Sequence, residues 1–251
     1  MQDNTATLTG KTVLITGAAR RLGASMARGF HQAGTNVAIH YRNSADEAEA
    51  LAGELNAARA GSAMTIQLDL LKAGRLGQLV DRTIAKFGAL DVLVNNASSF
   101  YPTPVGTVAE SDWHDLLGSN LKAPLFLSQA AAEALRESHG CIINMIDIHA
   151  RRPLADHPVY CAAKAGLQML TLSLARDLGP EIRVNGIAPG AILWPEQGAD
   201  GGLQQAIIRR TPLKRAGDPG DIVRTALFLA GGAPFITGQI IAVDGGRSAG
   251  W

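Results

Sequence analysis

The sequence predicts an α/β fold: a doubly wound, mainly parallel sheet of seven strands with helices on both faces. Three observations carry this. Strand-like apolar runs alternate with helical patterns from end to end, which is how repeated βαβ units read. A turn of small residues, TGAARRLG from Thr16 to Gly23, leads from the first such run into an amphipathic stretch. No Pro/Gly/Ser-rich linker, composition break or internal repeat divides the chain, so residues 1–251 read as a single domain.

The strands are expected, in order, at Thr12 to Thr16, Asn36 to His40, Ala63 to Gln67, Asp91 to Asn95, Cys141 to Met145, Arg183 to Ile187 and Ile240 to Val243. Helical stretches between them have readable ends. Ser44 and Glu47 have capping-box spacing, and Asp218 precedes Pro219 in the first-turn position. The stretch from about Pro189 to Thr211 reads as irregular. Long loops in compact domains are usually functional, so this one is a candidate substrate lid.

A hydrophobic fraction of 47% with 18% charged residues fits a compact chain with a large interior or surface hidden in an oligomer. A net charge of +1 and the absence of like-charge runs speak against nucleic acid and acidic membranes as partners. MQDNTATLTGK lacks the pattern of an export signal, and no apolar run approaches the ~18 residues of a spanning helix, so a cytoplasmic location is expected. Cys141 and Cys161 read as free thiols, and the six histidines have no HExxH or other metal-ligand spacing.

The turn TGAARRLG is where a phosphate-binding loop belongs, because small residues let backbone N–H groups approach a pyrophosphate at a helix start. Its candidates are Gly17, Arg20, Arg21 and Leu22. The central glycine usual in such a turn is replaced by Arg21 or by its neighbour Arg20. After the second strand, where an enzyme using NAD would carry an acid for the ribose 2′-hydroxyl, the sequence reads HYRNS: His40, Tyr41, Arg42, Asn43 and Ser44. Positive charge there suits a 2′-phosphate, so NADPH/NADP+ is expected, with a solvated surface role for Arg42 as the alternative. Asp69 and Leu70 follow the third strand and are placed to border an adenine. Asn96, Ala97 and Ser98 follow the fourth, at the sheet's carboxyl edge.

YCAAK puts Tyr160 and Lys164 four residues apart, on one helix face. A phenol with a pKa near ~10 is a sluggish proton donor at neutral pH, and a nearby ammonium is expected to lower it. Lys164 can also hold the nicotinamide ribose hydroxyls. The spacing alone is a weak motif; following the glycine-containing turn and NNAS it becomes a strong one.

With these motifs and the closing VDGG, Val243 to Gly246, the chain resembles the short-chain dehydrogenase/reductase family over nearly its whole length. That resemblance implies a Rossmann-type dinucleotide-binding fold. It implies that Tyr160 donates the proton, that Lys164 is its partner, and that Asn120 within SNLKAP is a structural and proton-relay residue. It places Pro189 and Gly190 against the nicotinamide. The family's usual serine, thirteen positions before the tyrosine, is Asp147 here. A hydroxyl can donate to an oxygen becoming an alkoxide, whereas a carboxylate repels it, so ordinary ketone reduction is disfavoured. Asp147 alternatively does no more than cap a loop.

Arg21 in the turn, Asp147 for serine and the run NASSF ending in Phe100 together are similar to pteridine reductases, a branch of that family. The resemblance implies that Arg21 contacts phosphate and substrate, and that Phe100 sandwiches a pterin against the nicotinamide. Asp147 and Tyr160 are then expected to meet the amino-pyrimidine edge or supply the proton, with Ser98 within reach of the ring. Plain packing for Phe100 and a phosphate-only contact for Arg21 are the alternatives. Beyond Gly190, Leu193 and Trp194 are candidates to close over the substrate, Trp194 equally a subunit contact. The tail RSAGW, ending in Trp251, is a candidate intersubunit element, since the family commonly forms homotetramers. The expected reaction is NADPH-dependent reduction of dihydropterin to tetrahydropterin. The rivals are a reductase of ketones such as a 3-oxoacyl thioester or sugar, and a non-catalytic NADPH-binding protein.

Overall fold

Strands β1 (Thr12–Ile15), β2 (Asn36–Tyr41), β3 (Ala63–Gln67), β4 (Val92–Asn95), β5 (Cys141–Met145), β6 (Arg183–Pro189) and β7 (Ile240–Val243) form one sheet. Its order is β3-β2-β1-β4-β5-β6-β7, and every neighbouring pair is parallel. The structure is a computed structural model that describes residues 8–194 and 201–250. Trp251 and the middle of the proposed substrate loop therefore lie outside the described residues. All seven expected strands are present, with ends displaced by at most two residues. Asp91 stands just before β4 because its carboxylate is used as a clamp, accepting from Lys11 Nζ and from the Thr12 N–H, each at 2.8 Å.

Because both faces of the sheet are covered, its strands read as near-continuous apolar runs whose alternate residues go to opposite sides. Val13 and Ile15 of β1, Val37 and Ile39 of β2, and Val92 and Val94 of β4 enter one core. Helices α1 (Arg21–Gln32), α2 (Ala45–Ala58) and α8 (Pro219–Leu227) close it with Met26, Phe30, Leu51 and Ile222. Leu14, Ala38 and Leu93, the residues between, enter the other core. That one is closed by Leu79 of α3 (Gly77–Phe87), Leu127 and Leu135 of α5 (Ala123–Glu137) and Ala175 of α6 (Pro158–Asp177). Phe30 is fully buried, and truncating such a ring to alanine costs about 3–5 kcal/mol. The remaining helices are α4 (Glu110–Leu117), which packs on α6 through Leu116, and α7 (Gly201–Arg210).

Two local expectations are corrected. Ser44 does precede α2, but its side chain makes no capping bond, and Glu47 lies instead 3.5 Å from Arg20 across the turn. The stretch from Pro189 to Thr211 is not irregular throughout: β6 extends to Pro189, and Gly201–Arg210 is helical with no buried residue. An exposed helix lacks the apolar stripe by which a sequence announces one. The expected cap at Asp218 is present, its carboxylate accepting from the Gly220 N–H at 2.7 Å while Asp221 accepts from the Asp218 N–H at 2.9 Å.

The chain leaves β1 toward β2 and β3 on one side, whereas β4 leads to β5, β6 and β7 on the other. The connections after β1 and β4 therefore part, and a crevice opens outside the carboxyl ends of the strands. Among the described residues no helix is long and apolar enough to cross a membrane, and no cluster of His, Cys, Asp and Glu could hold a metal ion.

Candidate active site

The crevice is a cleft of about 530 Å³. Of the residues singled out in the sequence, Gly17, Arg20, Arg21, Leu22, His40, Tyr41, Arg42, Asn43, Ser44, Asp69, Leu70, Asn96, Ala97, Ser98, Asp147, Tyr160, Lys164, Pro189, Gly190 and Leu193 line it. Asn120, Phe100 and Trp194 are not among the lining residues.

At the β1 end the turn is held from below. Thr16 Oγ1 accepts from the N–H groups of Asn96 and Ala97 at 2.9 and 3.0 Å, and Asn96 Nδ2 donates to the carbonyls of Thr16 and Gly17. Gly17 has φ +60°, and a Cβ there would come within 2.9 Å of the Ala97 backbone, so only glycine fits. Arg21, not Arg20, takes the left-handed slot, with φ +54°. No side chain caps α1 and its first turn holds no acidic residue, which leaves that end of the helix suited to an anion.

His40 lines the cleft as expected and also acts as a rivet beneath the turn. It is buried, its Nδ1 accepts from the Gly17 N–H at 3.0 Å, and its Nε2 faces the Leu68 carbonyl at 3.0 Å. A carbonyl can only accept, so Nε2 carries the proton. Burial lowers the imidazole pKa to about 4, which keeps the ring neutral. Beside it Arg42 and Asn43 are exposed on the cleft rim, and Gln67 holds the Arg42 carbonyl at 3.1 Å. Asp69 accepts from the Leu71 N–H at 3.1 Å, which shapes the wall formed by Leu70.

At the other end the Tyr160 hydroxyl donates to Asp147 Oδ2 at 2.8 Å. Asp147 Oδ1 accepts from the His149 N–H at 2.8 Å, so this carboxylate both caps the turn after β5 and faces the cleft. The expectation that Lys164 depresses the phenol is overturned. Burial, then the charge of Asp147, hold Tyr160 well above the usual tyrosine range, with a Ser98 hydrogen bond opposing them. Lys164 is buried, donates to the Met145 carbonyl at 2.9 Å, and lies 5.7 Å from the Tyr160 ring centre. Its own pKa falls to about 8 through burial, partly offset by Asp147. The phenol is therefore held toward its protonated form, in which it can act as a proton donor.

Asn120 sits in a widened turn, Gly118–Lys122, between α4 and α5. It is fully buried and sends Nδ2 to the carbonyls of Ser99 and Leu116 at 2.9 and 3.0 Å, while Oδ1 accepts from Ser98 Oγ at 2.7 Å. Its bonds run to the wall of the cleft, which gives it a positioning part there. Phe100 stands at the mouth with 52% of its surface exposed. Its ring meets Tyr160 edge-on, and one face is already stacked on His157. Leu193 lines the cleft, whereas Trp194 contributes its carbonyl, which accepts from Arg21 Nη2 at 3.1 Å. Gly190 is fastened to β7 through its N–H on the Val243 carbonyl at 3.0 Å.

Sequence reasoning passed over Ala19, Gly23, Leu71, Ser99, Ser119, Met145, Ile146 and Ile192, which complete the lining, and His157 against Phe100. Met145 and Ile146 were within reach of the rule that ligands sit at strand carboxyl ends. His157 was marked only by standing three residues before Tyr160, one helical turn away.

Residues 17–248 match the family model described as enoyl-(acyl carrier protein) reductase. Pteridine reductase 1 of Leishmania tarentolae is 36% identical over 97% of this chain and 98% of its own length. The 3-oxoacyl-(acyl-carrier-protein) reductase FabG of Staphylococcus epidermidis is 35% identical over 94% of this chain and 98% of its own. The 3beta-hydroxysteroid dehydrogenase 1 of Eggerthella lenta is 35% identical over 96% and 95%. The relatives thus span pterin, thioester and steroid enzymes at nearly equal identity.

Proposed function

The chain belongs to the short-chain dehydrogenase/reductase family, and from that premise we propose that this oxidoreductase reduces pterins, converting a dihydropterin to a tetrahydropterin with NADPH. The single observation that carries this reading is the Tyr160–Asp147 bond of 2.8 Å. A carbonyl oxygen gaining negative charge needs a donor at that place, and a carboxylate opposes it. An amino-pyrimidine edge offers N–H donors, for which a carboxylate is the complement.

The residues present fit a nicotinamide dinucleotide. The left-handed turn at Gly17 and Arg21 and the uncapped start of α1 suit a pyrophosphate, and Lys164 is placed for ribose hydroxyls. Arg42, Asn43 and Ser44 at the end of β2 suit a 2′-phosphate better than a free hydroxyl. When bound, the reduced nicotinamide supplies a hydride. Tyr160 supplies the proton that balances it, delivered to the ring nitrogen on which hydride addition to the neighbouring carbon leaves negative charge. Asp147 orients the substrate edge, Ser98 adds a hydroxyl, and Phe100 offers a flat surface for stacking.

NADPH oxidation followed with 7,8-dihydrobiopterin, dihydrofolate and a 3-oxoacyl thioester side by side tests the reading. Turnover of a pterin with kcat/KM well above the thioester is expected. Turnover of the thioester alone would replace the reading with ketone reduction, which the similarity to the 3-oxoacyl reductase favours. A homotetramer belongs to the same proposal. Its support is the apolar surface left on neighbouring helices, Leu125 and Phe126 on α5 and Met169 and Leu172 on α6. Analytical ultracentrifugation reads it directly.

A further inference from the structure

We infer that His157 is the positioning residue for Phe100, holding that ring as a preformed platform for the flat substrate. The inference rests on the pterin reading of the site and adds a residue to it. Phe100 lies on the connection after β4, outside any regular element, with 52% of its surface exposed. A phenyl group so placed would sample several rotamers, and a ligand stacking on it would have to order it first. The surroundings order it in advance. The His157 ring lies parallel to it, 4.8 Å between centres at 15°, and the Tyr160 ring abuts it at 4.8 Å and 79°. Two rings at nearly right angles hold a third in one orientation.

His157 is itself fixed. Its Nδ1 faces the Ala155 carbonyl at 2.7 Å, so that nitrogen carries a proton and the ring cannot turn without losing the bond. The Thr103 N–H donates to the Asp156 carbonyl at 2.6 Å, which ties the Phe100 segment to the residue just before His157. Backbone bond and ring stack thus join two segments more than fifty positions apart. His157 precedes Tyr160 by one helical turn at the head of α6, so one rigid helix end carries both the platform's support and the proton donor. The stack on His157 covers one face of Phe100 and leaves the other for a flat ligand. Asp147, Tyr160 and Lys164 make no hydrogen bond to His157, so its loss acts on binding before it acts on chemistry.

Three variants separate the stack from the hydrogen bond. In steady-state kinetics with 7,8-dihydrobiopterin, His157→Ala raises KM about three- to tenfold, with kcat changed less than about twofold and NADPH affinity unchanged. His157→Phe, which keeps a ring and loses the bond to Ala155, restores a KM near that of the wild type. His157→Asn, which keeps a donor and loses the ring, behaves as His157→Ala. In a Phe100→Ala background, His157→Ala adds no further loss. A wild-type KM in His157→Ala or His157→Asn, or full additivity with Phe100→Ala, overturns the inference. Wild-type enzyme that reduces no pterin overturns the functional reading instead. The stack is then read in the protein alone, where Phe100→Ala must shift the His157 ring protons in the NMR spectrum, and unmoved protons overturn it.

Discussion

Tyr160 and Asp147 share a hydrogen bond of 2.8 Å, phenol donating to carboxylate, in a place where desolvation already disfavours the phenolate. Two effects of the same sign therefore favour the proton staying on the phenol oxygen. Removing the hydroxyl removes the donor and leaves the cleft otherwise intact. Tyr160→Phe is expected to lower kcat by about 10²–10⁴-fold, the usual worth of a positioned acid. NADPH binding, measured by fluorescence titration, stays within about twofold. Retained turnover would transfer the donor role to another group.

Asp147→Asn removes the charge that helps to raise Tyr160. The same charge raises Lys164, so whichever of the two groups sets the alkaline limb of kcat/KM, that limb moves to lower pH. Asp147→Ser is expected to lose pterin activity and gain activity on a 3-oxoacyl thioester. An alkaline limb that stays in place in the Asn variant would detach Asp147 from the proton donor.

Arg42 is exposed on the rim with no carboxylate of β2 beside it. Arg42→Ala is expected to raise KM for NADPH about ten- to a hundredfold, the loss of one charge-assisted contact worth about 1.5–3 kcal/mol, and to leave KM for NADH unchanged. Equal effects on the two cofactors would mean that Arg42 reads no 2′-phosphate.

His40 makes the fold acid-sensitive. Its pKa is about 4 in the folded chain against an ordinary 6.5, because burial disfavours the imidazolium. Between those values the unfolded chain binds a proton that the folded chain does not, so stability falls as pH drops from 6.5 toward 4. The full effect is about 3 kcal/mol. His31, lowered by burial and by Arg59, acts in the same direction. Urea unfolding across that range measures the slope, and a His40 resonance titrating near 6.5 would contradict the buried neutral ring.

Most of the architecture and much of the cleft were legible from residue order. The seven strands are apolar runs of the right length, and their alternation with amphipathic helices leaves few topologies open. Asp147 was legible as a departure at a set distance from Tyr160. The α7 helix was not, because it is exposed and carries no apolar stripe. His40 was legible as a cleft residue, but its place beside Arg42 in the chain says nothing of what its ring nitrogens meet. It points inward, onto Gly17 and Leu68.

The sequence by itself determined the parts: a dinucleotide turn with an arginine in a glycine slot, a tyrosine and lysine on one helix face, and a carboxylate for a hydroxyl. These are local, set by spacing along one segment. Only the tertiary structure decided how the parts act on one another. It turned Lys164 to a backbone carbonyl, set the tyrosine hydroxyl donating a hydrogen bond to Asp147, and laid His157 against Phe100. Desolvation and ring contacts depend on groups far apart in the chain, so their sign appears only once the chain is folded.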